Sequence, residues 1–178
     1  QGSIVAFKQD CIYVVRGDLA LEYTVEKMTV STGCSVPCSI QVANNMVFYM
    51  GYDGVYYITS TTQDLMIVEP ISDKITPEFE NFDVYCSIYF KSKYFLFGEG
   101  KTLYFDDRLG AWTKWDTTIT TSLYDDANDL LIVAGKHGYH YYLHRTQLFD
   151  EYTPETYTPI NGKVALPYLF FEEPEKTK

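Results

Sequence analysis

The chain has 178 residues, with 14 lysine and arginine side chains against 24 aspartate and glutamate side chains, and a net charge of −10. This acidity predicts that the chain does not read nucleic-acid sequence, because such binding relies on basic side chains that neutralise phosphates. Apolar runs such as Met46–Met50 are far shorter than the ~20 residues that a membrane-spanning helix needs. The 17 Tyr and 11 Phe residues favour β-strands.

A β-hairpin pattern recurs four times along the chain. The clearest copy covers residues 46–58, where the turn Gly51-Tyr52-Asp53-Gly54 separates two apolar strands. The other copies cover residues 11–23, 94–105 and 130–143. The aligned glycines of the four copies are 34, 47 and 37 residues apart, and a repeat of this period predicts a repeat architecture. The glycines assigned to the hairpin turns are Gly17, Gly51, Gly54, Gly98, Gly135 and Gly138.

Each hairpin is flanked by further short strands, so that the chain divides into four repeats. Residues 1–3 are interpreted as the remnant of a cleaved purification tag, and the repeats cover residues 4–33, 34–79, 80–116 and 117–153. The first strand of each repeat is predicted at residues 4–7, 39–42, 86–89 and 120–124, and the fourth at residues 28–31, 65–68, 111–115 and 147–152.

Four-stranded antiparallel units that repeat along a chain are typical of the blades of a β-propeller. The second and third strands are almost continuously apolar, as expected of strands that neighbouring blades cover on both faces. The predicted fold is therefore all-β, a β-propeller-like array of about four small antiparallel blades. The alternative is a β-sandwich, which explains the strands but not the recurring hairpin glycine.

Residues 154–178 depart from the repeat. Prolines at 154, 159, 167 and 174 exclude a regular central strand, because proline cannot donate to a sheet ladder. The apolar segment 164–171 is compatible with an edge strand. We predict a proline-rich extension that leads into a further region of a longer protein.

The candidate metal ligands do not form a recognisable site in the sequence. Three residues separate Cys34 from Cys38, which is not metal-knuckle spacing, and the four cysteines are interpreted as reduced thiols. His140 and His144 are about 13 Å apart on a strand, too far for one ion, while His137 lies in a turn. The acidic turn at residues 125–129 is interpreted as a solvated turn rather than a calcium loop.

Residues 106–112 combine aspartates, a glycine and a tryptophan. We interpret this segment as a turn whose aspartates cap backbone amides. Trp112 and Trp115 are expected on one face of the last strand of the third repeat, as possible contact aromatics. No nucleophile elbow, phosphate-binding glycine loop or local Cys/His signature is present, so neither catalysis nor a cofactor is predicted.

Residues 39–58, followed by Ile71-Ser-Asp-Lys-Ile75, resemble β-propeller structural proteins of bacteriophages. These are the tail-tube or nozzle proteins and the head-completion or DNA-stabilisation proteins of short-tailed phages. The shared pattern is (Leu/Met)-Gly-x-Asp-Gly-(Ile/Val)-Tyr, which matches residues 50–56. Residues 158–171 also look like the exit from such a propeller into a downstream β-domain. The resemblance covers most of the chain from Cys34 onward.

The resemblance implies a non-enzymatic virion component that is made in the host cytoplasm. Its expected partners are other virion proteins and further copies of the chain, assembled in a ring or tube. An acidic chain suits a channel through which DNA passes without being held. The alternative is a carbohydrate- or receptor-binding propeller domain, for which the tyrosines and the two tryptophans would supply stacking surfaces.

Overall fold

The structure is a computed structural model that describes residues 3–18, 21–28, 32–60, 65–135, 140–143, 149–153 and 156–159. The chain divides into two compact units, Gln1–Leu143 and His144–Lys178. The described elements are β-strands with one 3₁₀ helix, so the predicted all-β class is confirmed. No described helix has the length and apolar character needed to cross a membrane.

The first unit contains four antiparallel sheets in chain order. The first sheet consists of β1 (Ile4–Phe7), β2 (Ile12–Asp18) and β3 (Leu21–Lys27). The second consists of β4 (Val36–Ala43), β5 (Met46–Met50), β6 (Val55–Ser60) and β7 (Met66–Pro70). The third consists of β8 (Val84–Phe90), β9 (Lys93–Gly98), β10 (Thr102–Asp106) and β11 (Ala111–Trp115). The fourth consists of β12 (Ile119–Asp125), β13 (Leu130–Gly135) and β14 (His140–Leu143).

Each sheet is a simple meander in which every strand pairs with the next one along the chain. All four predicted hairpins are present, as the pairs β2–β3, β5–β6, β9–β10 and β13–β14. Tight turns explain this topology, since short Gly-, Asn- and Asp-rich connections can only join antiparallel neighbours. The four separate sheets differ from the two sheets of a β-sandwich.

The predicted fourth strands have different outcomes in the four repeats. β7 and β11 pair as expected with β6 and β10. In the first repeat Met28 lies outside β3, and residues 29–31 lie outside the described residues. In the fourth repeat the segment near residue 150 forms β15 (Phe149–Thr153), which pairs with β16 (Thr156–Pro159) in a two-stranded sheet of the second unit. The apolar segment 164–171 lies outside the described residues.

Consecutive sheets of the first unit pack face to face through three hydrophobic clusters. One cluster joins the first and second sheets through Ile12, Tyr49 and Ile58. The next joins the second and third sheets, and the last joins the third and fourth. The backbones of the second, third and fourth sheets approach one another most closely at the first strands, β4, β8 and β12. The three sheets therefore lie closest together along β4, β8 and β12, and they diverge toward their last strands.

Candidate functional sites between the sheets

The interface between the second and third sheets contains the largest cluster of buried apolar side chains. Phe48 on β5 stacks on Tyr94 of β9, with ring centroids 5.0 Å apart, and both side chains are fully buried. Leu96 and Leu103 extend the same surface of the third sheet. Alternation along β9 places Tyr94 and Leu96 on this face because successive side chains point to opposite faces of a strand.

Hydrogen bonds cross this interface beside the apolar cluster. The Tyr94 hydroxyl donates to the backbone oxygen of Ser39 at 2.6 Å, in a buried site. Gln41 donates through Nε2 to the backbone oxygen and hydroxyl of Ser87, at 3.1 and 3.0 Å. The Ser87 hydroxyl in turn donates to the backbone oxygen of Cys38 at 2.6 Å. These directional bonds hold β4 at one register against β8 and β9.

The connection between the second and third sheets is held against the third sheet by side-chain contacts. It contains the 3₁₀ helix Asp73–Glu78. Trp112 donates through Nε1 to the backbone oxygen of Ile71 at 2.7 Å, just before this helix. At its end, the Glu78 carboxylate lies 3.1 Å from both Lys101 Nζ and Lys114 Nζ. Burial acts to raise the pKa of Glu78, but the hydrogen bonds and charges of the two lysines outweigh it and lower that pKa.

The interface between the third and fourth sheets depends mainly on aromatic packing. Phe95 and Phe97 on β9 pack with Leu131 and Val133 on β13. The polar contacts are fewer and weaker among the described residues: the Cys86 thiol and the Ser122 hydroxyl are 3.8 Å apart, and Lys91 pairs with Asp129 at the exposed turns. Ring packing therefore sets the spacing of these two sheets.

Trp112 and Trp115 lie on opposite faces of β11, so the expectation that they share a face was wrong. Residues three apart on a strand point to opposite sides. Trp112 packs against Phe79 and Phe105 in the interface of the second and third sheets. Trp115 packs against Phe95 and Tyr104 on the face toward the fourth sheet. Both indoles are partly buried and serve inter-sheet packing.

Gly51 and Gly98 occupy equivalent positions at the end of the second strand of their sheets, β5 and β9. At this point the segment that precedes the first strand of the same sheet comes close to the glycine. A Cβ at Gly98 would lie 2.2 Å from the backbone oxygen of Asp83. A Cβ at Gly51 would lie 2.5 Å from Thr32 Oγ1 and 3.2 Å from the backbone oxygen of Gly33. The recurrence of glycine at this position has a steric cause, the close approach of the entering backbone.

The other predicted turn glycines occupy different settings. Gly17 lies at a β-bulge in β2 and Gly54 is the last residue of the turn after β5, both with positive φ. Gly135 is the last residue of β13. Gly138 lies outside the described residues, so its predicted role stays a prediction.

The aspartates of two turns cap backbone amides. Asp106 Oδ1 accepts hydrogen bonds from the amides of Arg108 and Leu109, at 3.1 and 3.3 Å, so the predicted cap is confirmed for Asp106, whereas Asp107 Oδ2 accepts from the Tyr89 hydroxyl. Burial acts to raise the pKa of Asp106, but Lys93 and these amides lower it overall. Asp125 Oδ1 likewise accepts from the amides of Ala127 and Asn128. Across the described residues, no group of His, Cys, Asp and Glu side chains is arranged to hold a metal ion.

The cysteines are thiols rather than disulfides. Cys11 and Cys34 are buried, Cys86 is partly buried and Cys38 is exposed. Desolvation raises the thiol pKa of Cys34, Cys38 and Cys86; the Cys38 residue is exposed, but its sulfur lies against the backbone oxygen of Val84 at 3.5 Å. A raised pKa disfavours the reactive thiolate at neutral pH. His140 lies on β14, whereas His137 and His144 lie outside the described residues.

An open depression lies between the third and fourth sheets at their first strands. It has a volume of about 400 Å³ and is lined by Val84, Tyr85, Glu99 and Thr120. The Tyr85 hydroxyl donates to Glu99 Oε2, and the Tyr85 side chain is partly exposed. The depression thus combines an accessible aromatic ring with a carboxylate and a hydroxyl. Sequence reasoning missed it because its residues come from three segments without a shared motif.

No model of a known protein family matches the chain, and no curated protein is significantly similar to it in sequence.

Proposed function

We propose that the chain is a non-enzymatic structural domain of β-propeller type that works through protein–protein contacts in a bacteriophage tail or head-to-tail connector. In this proposal the four sheets are consecutive blades, and the full assembly is a ring or tube in the virion. Its partners are other virion proteins and further copies of the chain. The net charge of −10 suits such a channel, because a like-charged wall does not retain DNA.

One observation carries the blade arrangement. The second, third and fourth sheets approach one another most closely at their first strands, β4, β8 and β12. Blades of a propeller are arranged in this way, since four-stranded sheets repeat radially around a central channel. The virion role is supported by the resemblance of residues 39–58 and 71–75 to phage propeller proteins.

Mass spectrometry of purified particles, from the virus whose genome encodes the chain, tests the virion role. We expect peptides of the chain in stoichiometric amounts, and immunogold labelling at the tail or its junction with the head. Label confined to the capsid surface, particles that lack the chain, or a gene that lies in no viral or proviral genome would overturn the proposal.

The depression supports a second candidate function, the binding of a carbohydrate or a glycosylated receptor. Sugars stack on exposed aromatic rings, while their hydroxyls donate to carboxylates and exchange hydrogen bonds with hydroxyl groups. Tyr85, Glu99 and Thr120 supply these three groups at one place. A glycan array with the wild-type chain and the Tyr85→Ala variant tests this function, with Tyr23→Ala as a control at another exposed tyrosine. Binding lost only in Tyr85→Ala supports it, and an array without signal excludes it.

A further inference from the structure

The two outermost sheets of the first unit each present one face that none of its three hydrophobic clusters covers. The second and third sheets contribute to clusters on both faces, whereas the first and fourth sheets contribute to one cluster each among the described residues. We define the first end face by Ile4, Val15 and Val25 on the first sheet. We define the second end face by Leu123 and Ile132 on the fourth sheet.

Strand register places the residues of each end face side by side. On the first sheet, Ile4 lies opposite Val15, and Val15 lies opposite Val25, so that one apolar row crosses three strands. On the fourth sheet, Leu123 lies opposite Ile132. Ile4, Val25 and Leu123 are 67%, 65% and 63% exposed. Large apolar side chains that are aligned and exposed in this way are typical of an interaction surface.

The repeat itself identifies what such a face packs against. Ile132 lies three residues before the aligned glycine of its hairpin, and Phe48 and Phe95 have the same position in the second and third hairpins. Phe48 packs against the third sheet and Phe95 against the fourth, and both are buried. In the inner sheets, this position is therefore covered by the sheet that follows. The second end face is the same surface on the fourth sheet, where no hydrophobic cluster of the described residues covers it.

One basic and one acidic side chain lie at matching ends of the two end faces. Lys27 lies opposite Tyr13 on the side of the first end face, and Lys8 Nζ lies 5.5 Å from the centre of the Tyr13 ring. Asp125 lies on the side of the second end face, as the last residue of β12 before the turn to β13. At the equivalent turns, the third and fourth sheets are already joined by the ion pair of Lys91 and Asp129.

We infer that the second end face of one copy of this chain binds the first end face of another copy. This contact continues the packing order that joins the four sheets within one chain. The inference rests on the proposed function, a structural domain that works through protein contacts, and it names the surfaces that make the contact. Such a head-to-tail contact uses two different surfaces, so it generates a closed ring or an open filament.

Sedimentation equilibrium of the full chain over a concentration series tests the contact. We expect masses above the 20.6 kDa of one copy. Leu123→Lys should weaken self-association by at least about tenfold, because it places a charge in the apolar centre of the contact. Val25→Lys should do the same from the other face. Leu109→Lys is the matched control, since Leu109 is 76% exposed at a turn away from both end faces.

Mixing the two weakened variants distinguishes a head-to-tail contact from unfolding of the variants and from self-association through a third surface. Leu123→Lys keeps the first end face and Val25→Lys keeps the second, so an equimolar mixture should form heterodimers through the intact pair. Recovery on mixing also shows that both variants are folded. A monomeric wild-type chain, variants that associate as the wild type does, or a mixture that stays monomeric would overturn the inference.

The inference and the proposed function fail in different ways. A chain that is monomeric in solution and still stoichiometric in virions overturns only the end-face contact. A chain that self-associates through both end faces but is absent from particles overturns only the virion role.

Discussion

The interface between the second and third sheets and the interface between the third and fourth sheets use different interactions. In the former, Tyr94, Gln41 and Ser87 form hydrogen bonds across an apolar cluster. In the latter, Phe95 and Phe97 pack in an apolar cluster with Ile119, Leu131 and Val133. Hydrogen bonds require particular partners, whereas apolar packing requires mainly volume. Among the described residues, buried hydrogen bonds therefore fix the register of the second sheet against the third, whereas the third and fourth sheets are joined by apolar packing, one thiol–hydroxyl contact and an exposed ion pair.

The largest expected effect comes from removing one buried ring from each interface. Phe48 and Phe97 are both fully buried, one in each interface. Phe→Ala at either position should lower the free energy of unfolding by ~3–5 kcal/mol, because apolar contacts are lost and a cavity remains. Urea unfolding followed by circular dichroism and by tryptophan fluorescence measures this loss. If the four sheets unfold cooperatively, circular dichroism and fluorescence give the same unfolding midpoint for each variant. A variant whose midpoint falls in only one of the two measurements would contradict cooperative unfolding.

Two buried tyrosine hydroxyls provide a sharper comparison. Tyr94→Phe removes the donor to the Ser39 oxygen and should cost ~1–3 kcal/mol, since a buried acceptor loses its partner. Tyr49 is also fully buried, but its hydroxyl has no hydrogen-bond partner among the described residues. Tyr49→Phe should leave stability unchanged or raise it by up to ~1–3 kcal/mol, because a buried unsatisfied group is removed.

The same urea titration measures both tyrosine variants. The ring contacts of Tyr49 with Phe7 and Tyr56, at 4.9 and 5.6 Å between centroids, are retained in Tyr49→Phe. The two substitutions thus make the same chemical change and differ only in whether the hydroxyl has a partner. Equal losses in both variants would contradict the assignment of the polar contacts.

The ion pairs of Glu78 with Lys101 and Lys114 predict a pH dependence for the interface between the second and third sheets. Because the folded-state pKa of Glu78 is lowered, its stabilising effect is complete above its ordinary pKa of about 4.3 and is lost as pH falls through the lower folded value. Glu78→Gln should therefore be less stable than the wild type at pH 7, by less than about 1 kcal/mol because the site is partly exposed.

Unfolding midpoints of the wild type and Glu78→Gln, measured at steps from pH 7 downward, test this sign. The difference should shrink as the pH falls below about 4.3. Glu80→Gln serves as the control, since Glu80 is exposed and lies two residues after Glu78. A difference that grows toward acid would refute the lowered pKa of Glu78.

Hairpins were predictable from the sequence because each depends on local order: an apolar run, a glycine turn and another apolar run. Residues 46–58 contain all of this information, and β5 and β6 pair accordingly. The fourth strands depend on pairing beyond the hairpin, and the segment near residue 150 pairs with β16 instead. The contact of Tyr94 with Ser39 joins residues 55 positions apart, so no local pattern predicts it. The depression at Tyr85 likewise exists only after two sheets pack together.

The smallest expected effect concerns the ion pair that joins the turns of the third and fourth sheets. Lys91 Nζ lies 2.6 Å from Asp129 Oδ2, and both side chains are substantially exposed. A double-mutant cycle with Lys91→Met and Asp129→Asn should give a coupling energy of ~0.2–1 kcal/mol, which decreases in high salt as the charges are screened. Coupling above about 2 kcal/mol, or coupling that salt does not alter, would mean that this interface also depends on a polar contact. Coupling in the expected range leaves the packing of Phe95 and Phe97 as the main interaction that holds the fourth sheet to the third.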